Sequence, residues 1–341
     1  MSIGWCFQTV NELTQGKILV TGGAGFIGSA LIWALNRLGL DNILVCDQIG
    51  TDEKWKNLAP LRFDDYIGAE ALLREIQKDS SQLQNIRWVF HLGACSATTE
   101  LDAGYLMENN YGYTRTLCEW TLHHNARFVY ASSAATYGDG SNGMLDDDSR
   151  VETLRPLNAY GYSKQVFDFY AKRHGLLSKI VGLKYFNVFG PNEWHKGEMR
   201  SLVNKAFEQV RDTGTIKLFK SYKPEFKDGE QKRDFLYVKD AVDMTLHLAA
   251  MHPAHGLYNL GSGQARTWID LANAVFAAFP RSPRIEFVEM PDNLQDKYQY
   301  FTEANIEKLR ATGYDGPKFK LEEAVADYVQ NHLIPRTHLE P

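Results

Sequence analysis

Ser133, Tyr160 and Lys164 are residues whose types and spacing suit proton transfer. Tyr160 and Lys164 stand four apart where a helical pattern begins, so they share one face, one turn from each other. A phenol titrates at about 10, too high for a base at neutral pH, and a cation held beside it stabilises the phenolate. With Ser133 donating a second hydrogen bond, the trio can exchange a proton with an alcohol while a nicotinamide accepts or returns a hydride. A Tyr and a Lys at this spacing are ordinarily surface residues. What singles them out is their position after a strand ending in Ser132-Ser133-Ala134-Ala135-Thr136-Tyr137-Gly138 and, further upstream, a loop suited to a dinucleotide.

That loop closes the run Lys-Ile-Leu-Val-Thr-Gly-Gly-Ala-Gly-Phe-Ile-Gly, from Lys17 to Gly28. The aliphatic start reads as a buried strand and the segment from Phe26 to Leu38 as a helix, so the chain must turn tightly between them. Glycine permits the turn and lets backbone N–H groups approach a ligand, and the helix N-terminus favours an anion. Gly23, Gly25 and Gly28 satisfy a dinucleotide fingerprint, while Gly22, Gly25 and Gly28 overlay a second spacing on it. Alone, such a pattern is often only a glycine-rich turn. Here an acid, Asp47, ends the next apolar run nineteen residues after Gly28, where it can accept from a ribose hydroxyl. Asp47 favours NAD, whereas a cation at Lys54 can hold a 2′-phosphate, so these residues leave NAD and NADP both open.

Further strand patterns lie at 43–46, 88–92, 127–132 and 179–183, with helical patterns near 69–78, 103–123 and 160–174. Alternation at this pitch predicts an α/β fold with a doubly wound parallel sheet, whose ligands sit beyond the carboxyl ends of the strands. Gly93 to Ser96 and Ser132 to Gly138 then share a rim with the glycine loop. Past Leu183 the alternation breaks down, and helices near 198–212, 267–278, 302–312 and 320–333 build a smaller mixed α/β lobe. Phe219 to Asp234 reads as a basic loop; if it is a lid, the Arg233 guanidinium can bind a diphosphate bidentately. Residues 235–242 are expected to start a helix, and 257–263 to form a short strand returning to the first sheet. Residues 1–185 and 233–262 are accordingly assigned to a dinucleotide-binding domain, and 186–232 and 263–341 to a substrate domain.

A chain of 341 residues can bury a sizeable core, and 44% hydrophobic with 23% charged residues is ordinary for a globular protein. A formal net charge of -5 argues against nucleic acid as a partner and for small molecules. The cysteines Cys6, Cys46, Cys95 and Cys118 show no Cys-x-x-Cys spacing and read as thiols in a reducing compartment. The leader Met1 to Gly16 has no Lys or Arg and fails as a signal peptide, and no apolar run is long enough to span a membrane. A cytoplasmic enzyme without a metal site is expected.

Thr21 to Gly28, Ser133 with Tyr160 and Lys164, Lys184-Tyr185-Phe186-Asn187 and Gly190-Pro191 together resemble the extended short-chain dehydrogenase/reductases, the nucleotide-sugar epimerases and dehydratases. Within that group, Gly93 to Glu100, Gly190 to Gly197, Lys232 to Phe235 and Lys297 to Thr302 resemble the ADP-heptose 6-epimerases, and His195-Lys196-Gly197 and the Tyr298 motif are the most specific stretches. The resemblance covers residues 17–335. It implies a Rossmann domain, a retained nicotinamide cofactor (NADP, with NAD as the alternative), and a homo-oligomer, a pentamer in the family. The reaction implied is oxidation at C6 of ADP-D-glycero-β-D-manno-heptose and return of the hydride to the opposite face, giving the L-glycero sugar of the lipopolysaccharide core.

Inversion needs an acid/base group on each side of the carbon, and the family positions fall on Tyr160, assisted by Lys164, and on Lys196. The Lys196 amine can serve as a base only if burial or Lys164 lowers it from about 10.4. Cofactor positions implied by the resemblance are Gly22, Gly25, Phe26, Ile27 and Gly28; Asp47, Gln48 and Lys54; Leu92, Gly93, Ala94, Cys95 and Ser96; and Asn109, Lys164 and Val188. Substrate positions are Asn187, Glu198 and Lys205; Phe219, Lys220, Ser221 and Tyr222; and Arg233 and Tyr298. Glu198, Lys205 and Lys220 depart from the family pattern, the loop from Lys220 to Lys232 is long, and Ala69 replaces a Lys that can contact the cofactor. The alternatives are a nucleotide-sugar 4-epimerase or 4,6-dehydratase, and a non-catalytic NAD(P)-sensing scaffold. Ala134 and Ala135 stand where a dehydratase carries Asp-Glu, and the retained Tyr160 and Lys164 oppose a scaffold.

Overall fold

The computed structural model describes residues 13–279, 282–295 and 298–341. Cys6, most of the leader and Lys297 of the Tyr298 motif lie outside the described residues. Seven parallel strands form the main sheet: β1 (Lys17–Thr21), β2 (Ile43–Asp47), β3 (Asp65–Gly68), β4 (Ile86–His91), β5 (Arg127–Ser133), β6 (Val181–Tyr185) and β10 (Gly256–Leu260), in the order β10-β6-β5-β4-β1-β2-β3. The central strands are covered on both faces, which explains their near-continuous apolar runs. Strand order reverses between β1 and β4, which opens a crevice at their carboxyl ends.

Helices α1 (Phe26–Arg37), α2 (Ala69–Gln77), α3 (Tyr113–His123) and α4 (Ala159–Arg173) make the crossovers. Helix α4 starts at Asn158, whose side chain accepts the Gly161 N–H at 2.8 Å, a cap that sets Tyr160 and Lys164 at the sheet rim. The segment expected to be helical over 103–123 is one turn, Ala103–Leu106, then a π-helical stretch, Met107–Gly112, then α3. The wider π turn presents Asn110 to the sheet edge, where its amide accepts the Cys95 N–H at 2.8 Å and donates to the Cys95 carbonyl at 3.0 Å.

The second lobe carries short strands that the periodicity did not show: β7 (Asn187–Phe189), β9 (Lys232–Tyr237) and β11 (Ala265–Thr267) in one sheet, β8 (Ile216–Phe219) and β12 (Ile285–Val288) in another. The basic loop ends at β9, and helix α6 (Val238–Ala250), after α5 (Leu202–Thr213), begins three residues later than expected. The helix expected over 302–312 is only Glu307–Arg310, because residues 302–304 lie along β9. Thr302 N–H donates to the Lys232 carbonyl at 3.2 Å and Ala304 N–H to the buried Asp234 carboxylate at 3.0 Å. Asp234 also accepts the Ser262 and Gly263 N–H groups, so one carboxylate ties β9, the end of β10 and the 302–304 segment together. Helices α7 (Trp268–Ala278) and α8 (Leu321–Tyr328) complete the lobe. Among the described residues no helix is long and apolar enough to cross a membrane, and no His, Cys, Asp and Glu side chains are grouped as a metal would require.

Beneath the rim lies an ion pair with both partners buried: Lys184 Nζ is 2.8 Å from Asp168 Oδ2, with side-chain exposures of 1% and 0%. Tyr130 and Ser132 donate to the same carboxylate, and Lys184 also donates to Thr136. Lys184→Met should cost about 3–5 kcal/mol of stability, because it strands the Asp168 charge in the core. Urea denaturation of the two proteins measures this, and a loss below about 1 kcal/mol contradicts it.

Candidate active site

The glycine loop is built for close approach. Gly22 adopts φ +68°, and a Cβ there would lie 2.6 Å from Gly93 N; a Cβ on Gly28 would lie 2.0 Å from the Gly22 carbonyl oxygen. Strand, loop and helix therefore meet backbone to backbone. Helix α1 has Gly25 as its N-cap with no side-chain cap, which leaves its first N–H groups facing outward as a phosphate requires. Asp47 accepts the Ala24 N–H at 2.8 Å through Oδ2, and the Gln48 N–H at 2.7 Å and Lys54 Nζ at 2.9 Å through Oδ1. This cradle fits the pyrophosphate and adenosine ribose of a dinucleotide. Residues 92–96 form its other wall: the Thr21 carbonyl accepts the Leu92 N–H and Thr21 Oγ1 accepts the Gly93 N–H.

A cavity of about 550 Å³ continues from this cradle. Phe26, Ile27, Leu92, Ala94, Ser96 and Val188 line it, together with Ser133, Tyr160, Lys164 and Lys196. Tyr160 and Ser133 share a hydrogen bond, which favours the phenolate, but burial is the larger influence and raises the phenol above its usual range. Lys164, one helical turn on, is itself buried. Its ammonium donates to the Ala131 carbonyl at 2.9 Å, and burial pushes it down to about 8. Ser163 donates to the Tyr160 carbonyl at 2.7 Å and accepts from Asn110 at 3.0 Å, which ties the helix start to the Cys95 wall. Asn109 donates to Asn110 and reaches the wall through it.

Lys196 sits in the 3₁₀ segment Trp194–Met199, its ammonium 5.4 Å from the centre of the Phe26 ring. Burial lowers its pKa and the nearby Glu193 raises it, burial being the stronger. Asn187, Arg233 and Tyr298 also line the cavity. The Arg233 guanidinium lies 5.0 Å from the Tyr298 ring centre and 5.7 Å from that of Trp268, has 6% exposure and no carboxylate partner among the described residues. An aromatic-flanked, buried, unpaired guanidinium suits a ligand anion.

Several expected contacts are not brought to the cavity wall. Lys205 binds Glu198, Lys220 binds Glu289, and the Tyr222 hydroxyl also donates to Glu289. Ser221 N–H is held by Asp228 at 2.8 Å, while Phe219 meets the edge of Tyr298 with ring centres 6.4 Å apart. The long loop is thus pinned to the lobe by its own pairs and by Tyr300, whose hydroxyl accepts the Tyr222 N–H. Gln299, from the Tyr298 motif, also lines the cavity, and Trp268 and Arg200 line it without a signal in the sequence, since each arrives from an element whose partner is distant along the chain.

The model of the NAD dependent epimerase/dehydratase family matches residues 18–261. The ADP-L-glycero-D-manno-heptose-6-epimerase of Nitratidesulfovibrio vulgaris is 50% identical over 92% of this chain and 97% of its own length. The crystal structure of the Helicobacter pylori ADP-L-glycero-D-manno-heptose-6-epimerase superposes with a TM-score of 0.78 at 29% identity, covering 94% of this chain and 97% of that one. The Thermus thermophilus UDP-glucose 4-epimerase, solved with NAD, gives 0.71 at 25% identity, over 94% of this chain and 100% of that one. With its glycine cradle, its Ser-Tyr-Lys rim and these likenesses, the chain belongs to the NAD dependent epimerase/dehydratase family, alongside the ADP-L-glycero-D-manno-heptose-6-epimerases.

Proposed function

We propose that this protein interconverts ADP-D-glycero-β-D-manno-heptose and ADP-L-glycero-β-D-manno-heptose at C6, supplying a lipopolysaccharide core precursor. The observation that carries the reading is that Tyr160 and Lys196 line one cavity, in a chain 50% identical to a heptose 6-epimerase. When bound, the nicotinamide takes the C6 hydride and later returns it. The chain's own work is proton transfer and positioning. Burial raises Tyr160 and lowers Lys196, so the phenol rests with its proton and the amine yields one more readily. Such divergence is what acid/base groups of opposite role require. Ser133 orients the phenol, Arg233 and Tyr298 bind the diphosphate side, and Asn187 faces the sugar. Residues 1–185 and 233–262 hold the cofactor, while 186–232 and 263–341 hold the sugar, with β9 as the seam. Incubation with ADP-D-glycero-β-D-manno-heptose should give the 6-epimer by NMR, and an unchanged C6 configuration rejects the reading. Light scattering against the 38.8 kDa chain tests the homo-oligomer.

NADP is the cofactor in this reading. Lys54 lies 2.9 Å from Asp47 at the ribose end of the cradle and supplies a cation for a 2′-phosphate. Removing one charge-assisted contact costs about 1.5–3 kcal/mol, so Lys54→Ala should weaken NADPH binding about 10- to 150-fold and leave NADH nearly unchanged. Fluorescence titration of the two cofactors measures it. Equal losses for both remove the argument for NADP.

A further inference from the structure

Glu193 is 1% exposed and stands immediately before the segment that carries Lys196. Oε2 accepts the Ser201 N–H at 2.6 Å, and Oε1 accepts the Ser201 hydroxyl at 2.6 Å and the Tyr328 hydroxyl at 3.0 Å. Ser201 is the N-cap of α5, and Tyr328, the last residue of α8, accepts from Asn204 of α5 at 2.8 Å. No Lys, Arg or His among the described residues forms an ion pair with this carboxylate. A buried charge without a cation partner is weak as a stability device, so a use beside the cavity is the better account of it.

Lys196 follows three residues later. Its N–H donates to the Glu193 carbonyl at 3.0 Å, closing the turn. Gly197 then takes φ +53°, and its carbonyl accepts Arg200 Nε at 2.8 Å. The turn is thus held at one end by Glu193 and at the other by Arg200, with the ammonium projecting over Phe26. The titratable groups facing Glu193 are Lys196 and Arg200 from its own segment and Tyr328 from α8, with Tyr237 of β9 behind Tyr328. Helix α5 presents Ser201 and Asn204 there, which do not titrate.

We propose that Glu193 is the positioning residue of Lys196: it clamps the turn to α5 and α8 so that the amine stays in the cavity, and it supplies the negative charge against which that amine takes up a proton. This rests on the reading of Lys196 as the second acid/base group. Loss of the charge disfavours the ammonium, so the limb of the kcat–pH profile governed by Lys196 moves to lower pH.

The test compares Glu193→Gln, Lys196→Met and the double variant, each as the full chain with cofactor bound and ADP-heptose as substrate. Glu193→Gln should lower kcat at neutral pH about 10- to 100-fold with KM within about threefold, and move that limb to lower pH. In the double variant the Gln should cost little beyond Lys196→Met alone, since both changes act through one amine. Wild-type kcat and pH profile in Glu193→Gln, or additive losses, overturn the proposal while leaving Lys196 in place. Full turnover by Lys196→Met instead removes the underlying reading, and the proposal with it. If Glu193→Gln does not fold, Tyr328→Phe decides, since it removes one donor to the carboxylate and keeps the charge. A severalfold fall in kcat with KM unchanged supports the clamp, and an unchanged kcat rejects it.

Discussion

Tyr160→Phe is expected to lower epimerisation by about 10²- to 10⁴-fold while the protein still binds its dinucleotide. The phenol shares a hydrogen bond with Ser133 and lines the cavity, and in the proposed reading its hydroxyl exchanges a proton with the sugar. The cofactor cradle lies elsewhere, in the glycine loop, Asp47 and the 92–96 wall, and loses no contact. Phe keeps the ring and its packing, so the change removes one oxygen and little stability. Epimerisation of ADP-heptose followed by NMR, with cofactor content read by absorbance after denaturation, measures both halves. Turnover within tenfold of the parent rejects the acid/base role for Tyr160, and loss of the cofactor means the variant has damaged the cradle instead.

Lys196→Met is the second large effect, expected at about 10²- to 10⁴-fold in kcat with KM within a few-fold. Two roles compete for this amine. A phosphate contact stabilises ground state and transition state alike, so its loss raises KM and spares kcat; a proton-transfer group does the reverse. The surroundings favour the second role. Burial lowers the pKa of the amine, and its ammonium lies over the apolar Phe26 ring. The unpaired Arg233, flanked by Tyr298 and Trp268, is better placed by chemistry for the diphosphate. Steady-state kinetics with the nucleotide sugar separates the two, and a raised KM at unchanged kcat assigns Lys196 to the phosphate.

The central sheet was legible because its strands are buried on both faces and write continuous apolar runs, as in Ile43 to Cys46. The second lobe was not. Lys232 to Asp234 looked like the end of a basic loop, yet it is a strand whose Asp234 carboxylate collects N–H groups from residues 262, 263 and 304. Nothing local announces a strand held by an acid and by partners 28 to 70 positions away. Glu198, Lys205 and Lys220 departed from the family pattern in sequence, and in the fold they pair with one another or with Glu289.

By itself the sequence determined the parallel sheet, the glycine turn with its acid at Asp47, and the helix face carrying Tyr160 and Lys164, since each is a matter of short-range spacing and backbone sterics. Only the tertiary structure decided that Lys164 faces the Ala131 carbonyl, that Arg233 lies between two aromatic rings, and that Glu193 reaches Tyr328 from 135 residues away. Those outcomes depend on which groups desolvate one another, and burial is set by packing between segments remote along the chain.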